Sequence, residues 1–181
     1  AGAVAISVLT EPHFFGGSGT DLEKVRDAVA IPILRKDFIS ETYQVWESAA
    51  WGADAILVIA AALAPDRLRL LYETAREAGM ETLIEIHTSQ EIEIALSCPE
   101  ALLGVNSRNL QTLVTDLNVA RSLAGMLPRN RVRVAESGLR SRREIEELRA
   151  LGYDGFLIGE SLLRHASPGQ ALRRLVRNSA E

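Results

Sequence analysis

Apolar residues are gathered into seven short runs: about Val4–Leu9, Ile31–Arg35, Ala55–Ile59, Thr82–Ile86, Leu102–Val105, Val132–Ala135 and Phe156–Ile158. None alternates strictly between apolar and polar positions, the pattern of parallel strands covered on both faces rather than strands with one wet face. Between them lie stretches of helical periodicity, such as 66–78 and 142–149. One run follows another after about 20 to 30 residues, the size of a single βα unit. The punctuation agrees. Thr20 with Glu23, Thr88 with Glu91 and Ser141 with Glu144 have capping-box spacing, each shortly after a run. Gly52, Gly79 and Gly152 stand shortly before the next run, where a left-handed residue ends a helix.

Seven βα units in succession, without an antiparallel hairpin signal, predict an α/β fold of the (β/α)8 TIM-barrel type, one domain over residues 1–181. An open doubly wound sheet fits less well, because no Gly-x-Gly-x-x-Gly loop follows any run. Gly2 stands before the first run as Gly52 and Gly79 stand before theirs, and so has the position of a helix C-cap. The expectation is a barrel carrying strands two to eight, without the first βα unit and the N-terminal extension. Its outer strands, at Val4 and Phe156, would then be unpaired edges open to self-association or to a complementing segment.

Composition narrows the classes. A chain of 181 residues, 47% hydrophobic, can bury one substantial core. A net charge of −4 leaves no cationic surplus for phosphate neutralisation, so no nucleic-acid partner is expected. Twelve of the eighteen arginines fall between Arg121 and Arg177, mostly beside glutamates in helical patterns, which favours a solvated helix face over an anion-attracting end. Cys98 stands alone and cannot form an internal disulfide. The most apolar segment, 53–63, is well short of the roughly 20 residues that span a bilayer, so no membrane partner and a cytoplasmic location are expected.

Chemistry shows in how the runs end. Five stop abruptly at charged or amide side chains: Lys36, Glu85, Asn106, Glu136 and the Gly159-Glu160-Ser161 turn. A polar residue at the last position of a buried strand emerges where the core meets water, and several such strands can gather around one small molecule. The chain has only two lysines; Lys24 lies in a helical pattern and is expected to be solvated. Lys36 closes a strand as a titratable ammonium, able to serve as general acid or Schiff-base nucleophile, or else to pair with Asp37 at the surface.

Glu85 and Glu136 offer paired carboxylates that can move protons, stabilise a cation or hold the lysine charged. Asn106 adds a neutral donor and acceptor with Arg108 on the same side, though Asn-Ser also makes ordinary turns. Ser137-Gly138 and Gly159 follow the last two strands, where this fold cradles phosphate on backbone N–H groups. His13, His87 and His165 are scattered without metal-binding spacing, so no metal is expected. His87 shares the side of Glu85, with ordinary hydrogen bonding expected there. Trp46 and Trp51 are expected to pack outside the barrel, and Phe14-Phe15-Gly16-Gly17 forms either an aromatic wall or plain loop packing.

Taken together, Ser7-Val-Leu-Thr-Glu11, Phe14-Phe15-Gly16-Gly-Ser18, Leu34-Arg-Lys36-Asp-Phe38, Leu83-Ile-Glu85, Gly104-Val-Asn106-Ser-Arg108, Val134-Ala-Glu136-Ser-Gly138 and Leu157-Ile-Gly159 closely resemble indole-3-glycerol phosphate synthase, in order along nearly the whole chain. The resemblance implies cyclisation of 1-(2-carboxyphenylamino)-1-deoxyribulose 5-phosphate to indole-3-glycerol phosphate in tryptophan biosynthesis, with loss of CO₂ and water and no cofactor. It makes Lys36 the general acid, Glu85 the proton-transfer and cation-stabilising carboxylate, and Asn106 an orienting group, with Glu136 and Ser137 completing the catalytic lining. Phe15 and Phe38 would pack on the anthranilate ring, Arg108 would bind substrate near the polar lining, and Gly138, Gly159 and Glu160 would present backbone N–H groups to the phosphate. The family's first-strand Glu-x-Lys and the Ser-Pro loop after it have no counterpart in this sequence. Weak or no activity of residues 1–181 alone is therefore expected; a non-catalytic partial barrel that binds phosphorylated ligands or needs a complementing N-terminal segment is the alternative.

Overall fold

The computed structural model describes residues 1–176; Arg177 and the four residues after it lie outside the described residues. Branched and aliphatic residues build seven strands: β1 (Ile6–Leu9), β2 (Ile33–Lys36), β3 (Ala55–Ile59), β4 (Glu81–Ile86), β5 (Leu102–Asn106), β6 (Arg133–Glu136) and β7 (Gly155–Leu157). Each predicted run holds a strand, with ends moved by up to two residues. The helices are α1 (Gly19–Ala28), α2 (Thr42–Ala50), α3 (Pro65–Glu77), α4 (Ser89–Leu96), α5 (Asn118–Leu123), α6 (Arg142–Ala150), α7 (Glu160–Leu163) and α8 (Pro168–Val176). Among them, none is long and apolar enough to cross a membrane.

All strand pairs are parallel and neighbours follow chain order, β1 to β7, as βα units of one hand require. The sheet has two apolar faces. Ile33, Ile56, Val58, Ile84, Ile86, Leu103, Val105 and Ala135 pack outward in the main core that the helices cover. Leu57, Ile59 and Leu83, with Leu34, Leu102, Val134 and Leu157, fill the concave face. Burial on both sides is why the runs do not alternate.

Among the described residues β1 pairs only with β2, and β7 only with β6. The last helix nevertheless reaches back to the start of the chain. A Cβ on Gly169 in α8 would lie 3.5 Å from Ala1, and one on Gly2 would lie 3.8 Å from Val176. Burial is deepest at the centre: every β7 residue is only half-buried, and Ser7 and Leu9 of β1 are exposed.

Helix ends hold two corrections. Gly52, Gly79 and Gly152 have φ of +88°, +75° and +103°, as helix-closing glycines do. Ser141 and Glu144 make the full capping box. The α1 cap, however, is Ser18, which accepts from the Asp21 N–H, while Thr20 lies inside the helix. Thr88 caps α4 position, yet Glu91 accepts from the His87 N–H and the Thr88 hydroxyl. The box therefore reaches one residue further back, onto the strand exit.

Candidate active site

Parity carries the polar strand ends to one place. Leu34, Leu83 and Val134 face the concave interior, so Lys36, Glu85 and Glu136, each two residues on, emerge above them at the C-terminal mouth. Asn106 ends β5 directly opposite Glu136, and Glu85 stands opposite Gly104. Glu85 and Glu136 are each 1% exposed and Asn106 is 6% exposed. Strand geometry thus sinks two carboxyls and an amide just below the rim.

Hydrogen bonding inside this mouth is incomplete. Lys36 Nζ lies 3.7 Å from Glu85 Oε2, an ion pair whose carboxylate is buried and whose ammonium is one-fifth exposed. Glu85 Oε2 and both oxygens of Glu136 receive no hydrogen bond among the described residues. Burial first, then the Glu85 charge, pushes the Glu136 carboxyl well above the ordinary carboxylate range, while Lys36 opposes that rise. A retained proton on Glu136 gives the facing carboxyls the donor they lack. The mouth then holds an acid, a base paired to a cation, and an amide.

The alternative for Lys36, a surface pair with Asp37, is not formed. Asp37 Oδ2 instead accepts from Arg35 at 2.8 Å and from the Thr10 hydroxyl at 2.5 Å, on the outer side of β2. Arg35 also reaches Glu47 and Ser48 and stacks 4.3 Å from the Trp51 ring. Adjacent strand residues point to opposite faces, so Lys36 is left to the mouth. The cleft of about 560 Å³ outside β1 and β2 is lined by Arg35, Asp37 and Glu47, whose charges satisfy one another. The unpartnered oxygens of Glu85 and Glu136 lie at the mouth instead.

An aromatic wall stands beside Lys36. Phe15 and Phe38 stack with centroids 5.4 Å apart, Phe14 meets Phe38 edge-on at 5.9 Å, and Lys36 Nζ is 5.7 Å from the Phe15 centroid. The Phe15 loop is held by Glu11, whose carboxylate accepts from the N–H groups of His13, Phe14 and Phe15. Trp46 is half exposed on α2, and Lys24 is solvated with a long contact to Asp21, both as expected.

On the far side, Ser137 and Gly138 take successive left-handed conformations, φ +64° and +78°, and turn the chain sharply after β6. A Cβ on Gly138 would come 2.6 Å from Thr115, so glycine is required there twice over. Space beside Gly159 is open. Glu160 is tied by its side chain to Arg108 at 2.6 Å and to Arg164, and those hydrogen bonds hold its carboxyl below the usual range. Asn106 Oδ1 accepts from the Arg108 N–H, so the Asn-Ser turn and the inward amide are the same residue.

One residue of consequence is not legible from the strand ends, and one departs from its expectation. Gly104 sits between Glu85 and Glu136, and a methyl there would overlap Glu136 Oε1. Its signal was available, since a glycine inside an apolar strand marks a close approach. His87 departs from its expected hydrogen bonding: neither ring nitrogen has a hydrogen-bond partner among the described residues.

A family model described as indole-3-glycerol phosphate synthase matches residues 1–175. The indole-3-glycerol phosphate synthase of Kineococcus radiotolerans is 47% identical over 97% of this chain and 64% of that protein. Those of Acidithiobacillus ferrooxidans and Geobacillus thermodenitrificans are 45% and 46% identical, over 66% and 68% of their lengths. The chain thus spans about two thirds of these relatives. In fold it is similar to the solved 3-hexulose-6-phosphate synthase of Salmonella typhimurium, with TM-score 0.80 at 14% identity, covering 94% of this chain and 83% of that one. KGPDC from Streptococcus mutans gives 0.72 at 16% identity, covering 96% and 83%. Such neighbours speak for a TIM-barrel-type fold alone.

Proposed function

The chain belongs to the indole-3-glycerol phosphate synthase family, and from that membership we propose that its mouth closes the indole ring of 1-(2-carboxyphenylamino)-1-deoxyribulose 5-phosphate. The observation that carries the reading is the pair of buried carboxyls, Glu85 and Glu136, with oxygens that lack hydrogen-bond partners, and Lys36 at 3.7 Å from Glu85. Lys36 protonates the ribulose ketone as the ring carbon bearing the carboxylate attacks it, forming the new C–C bond. Loss of CO₂ returns the ring electrons. Departure of the new hydroxyl as water, with proton removal by a carboxylate, completes the indole. Glu85, paired with Lys36, stabilises the cationic intermediates; Glu136 supplies a protonated carboxyl, and Asn106 and Ser137 orient the substrate.

Phe15 and Phe38 take the anthranilate ring, and Arg108, held by Glu160, contributes to substrate binding on the opposite side of the mouth. The backbone of Gly138, Gly159 and Glu160 takes the phosphate, at the loops where barrels of this kind bind it. In this reading residues 1–181 form one barrel domain comprising strands two to eight, with the gap between β1 and β7 as the seat of a further βα unit. The free edges make complementation by that unit, or self-association, the accompanying proposal.

Lys36→Met and Glu85→Gln are each expected to lower kcat by about 10²–10⁴-fold in the chain complemented by that βα segment, with inorganic phosphate binding retained. Steady-state fluorescence of indole formation reads the first and calorimetry the second; undiminished turnover in Lys36→Met would overturn the proposal.

A further inference from the structure

His87 lies two residues beyond Glu85 on the same side of β4, at the rim of the mouth, and is 12% exposed at its side chain. Its Nε2 stands 3.3 Å from Glu85 Oε1, while the other oxygen of that carboxylate faces Lys36 at 3.7 Å. On the opposite edge of the ring, Nδ1 stands 3.8 Å from Glu91 Oε2. That same Glu91 oxygen accepts the His87 backbone N–H at 2.7 Å, and Glu91 Oε1 accepts the Thr88 hydroxyl. A carboxylate–imidazole–carboxylate line therefore runs from the first turn of α4 to the mouth.

A carboxylate turns easily about its last torsion, whose rotational well is broad. A single 3.7 Å contact to a flexible lysine does little to hold it. Glu91, by contrast, is anchored twice, to the backbone and to Thr88, and so fixes the histidine that stands over Glu85. The ring nitrogens are close to both carboxylates yet lack hydrogen-bond alignment, the loose geometry that acid–base groups show without substrate.

We propose that His87 is a positioning residue: through its Nε2 it sets the orientation of the Glu85 carboxylate for proton transfer, and Glu91 anchors it. The inference rests on the ring-closure reading of the site. It explains why the α4 cap reaches back onto the strand exit instead of closing on the helix alone.

The test has two readouts. In protein labelled with ¹⁵N at histidine, Glu85→Gln and Glu91→Gln are each expected to move the His87 ring signals, while Glu93→Gln, exposed on α4, leaves them in place. Unmoved signals in Glu85→Gln overturn the inference whether or not turnover is detected. For turnover by the complemented chain, His87→Ala is expected to lower kcat about tenfold to a hundredfold with KM nearly unchanged. His87→Gln, which keeps a donor of similar reach, recovers to within roughly threefold of the parent. The His87→Ala/Glu91→Gln double variant is expected to be no slower than His87→Ala alone, because both act through one line. A loss carried by KM, no rescue by glutamine, or additive losses would each leave His87 a merely structural residue. If Lys36→Met also retains turnover, the ring-closure reading fails instead, and the ring signals still decide the placement of His87.

Discussion

Glycine at 104 shows how one absent methyl organises the chemistry. Its place on β5 lies between the strands that bring Glu85 and Glu136, and the Glu136 carboxyl occupies the volume a Cβ would take. Gly104→Ala is expected to displace that carboxyl, lowering kcat about tenfold or more through misplacement. The same overpacking would cost about 1–3 kcal/mol in urea denaturation. Glu136 itself carries a pH signature. At acid pH both folded and unfolded chains are protonated there. As pH rises above the ordinary value of 4.5, the unfolded chain releases the proton and the folded one, with its raised pKa, keeps it. The folded state then binds more protons, so this residue's contribution to stability falls with rising pH until the folded pKa is passed. Glu136→Gln does not titrate and is expected to gain on the parent in thermal denaturation steadily from about pH 4.5 upward; equal pH slopes would refute the retained proton.

Strand β2 separates two electrostatic worlds. Its outer face holds Arg35 and Asp37, buried at 3% and 8% exposure, and its inner face holds Lys36. Asp37→Ala would leave Arg35 with Glu47 and Thr10 but without its closest carboxylate. Breaking a buried pair on one side costs about 3–5 kcal/mol, and the remaining Glu47 contact places this case near the lower end. The urea midpoint reads the loss, and an unchanged midpoint would show that Glu47 suffices. This element was legible only in outline. The Leu34-Arg-Lys36-Asp run announced a strand ending in charge, but whether Asp37 answered Lys36 or Arg35 depended on which face each side chain took and on the helix packed behind it. The α1 start was misplaced because Thr20 with Glu23 and Ser18 with Asp21 both have cap-like spacing, and it is Ser18 that accepts from the Asp21 N–H.

The whole sheet is parallel, its last helix packs against the start of the chain, and each outer strand is paired on one side among the described residues. A βα peptide carrying the family's first-strand Glu-x-Lys is expected to seat between β1 and β7. It should raise ring-closure turnover of residues 1–181 at least about tenfold, because a second cation and the missing edge arrive together. Amide hydrogen exchange at Ile6–Leu9 and Gly155–Leu157 should slow when the peptide binds. Slowed exchange without turnover would favour a binding barrel over an enzyme, and unchanged exchange would remove the gap as a docking seat.

Periodicity and punctuation along the chain determined the number, order and parallel sense of the strands, because burial on both faces leaves a run of apolar residues that only such a sheet explains. They also determined which residues end the strands, and hence most of the proposed site: Lys36, Glu85, Asn106 and Glu136 do meet at one mouth. What the tertiary structure decided is who answers whom. Lys36 faces Glu85 and not Asp37, Glu136 crosses over Gly104, and His87 stands between Glu85 and Glu91. Local sequence sets the side of a strand on which a side chain leaves; only the curl of the sheet and the helices behind it set the distances across which charges act.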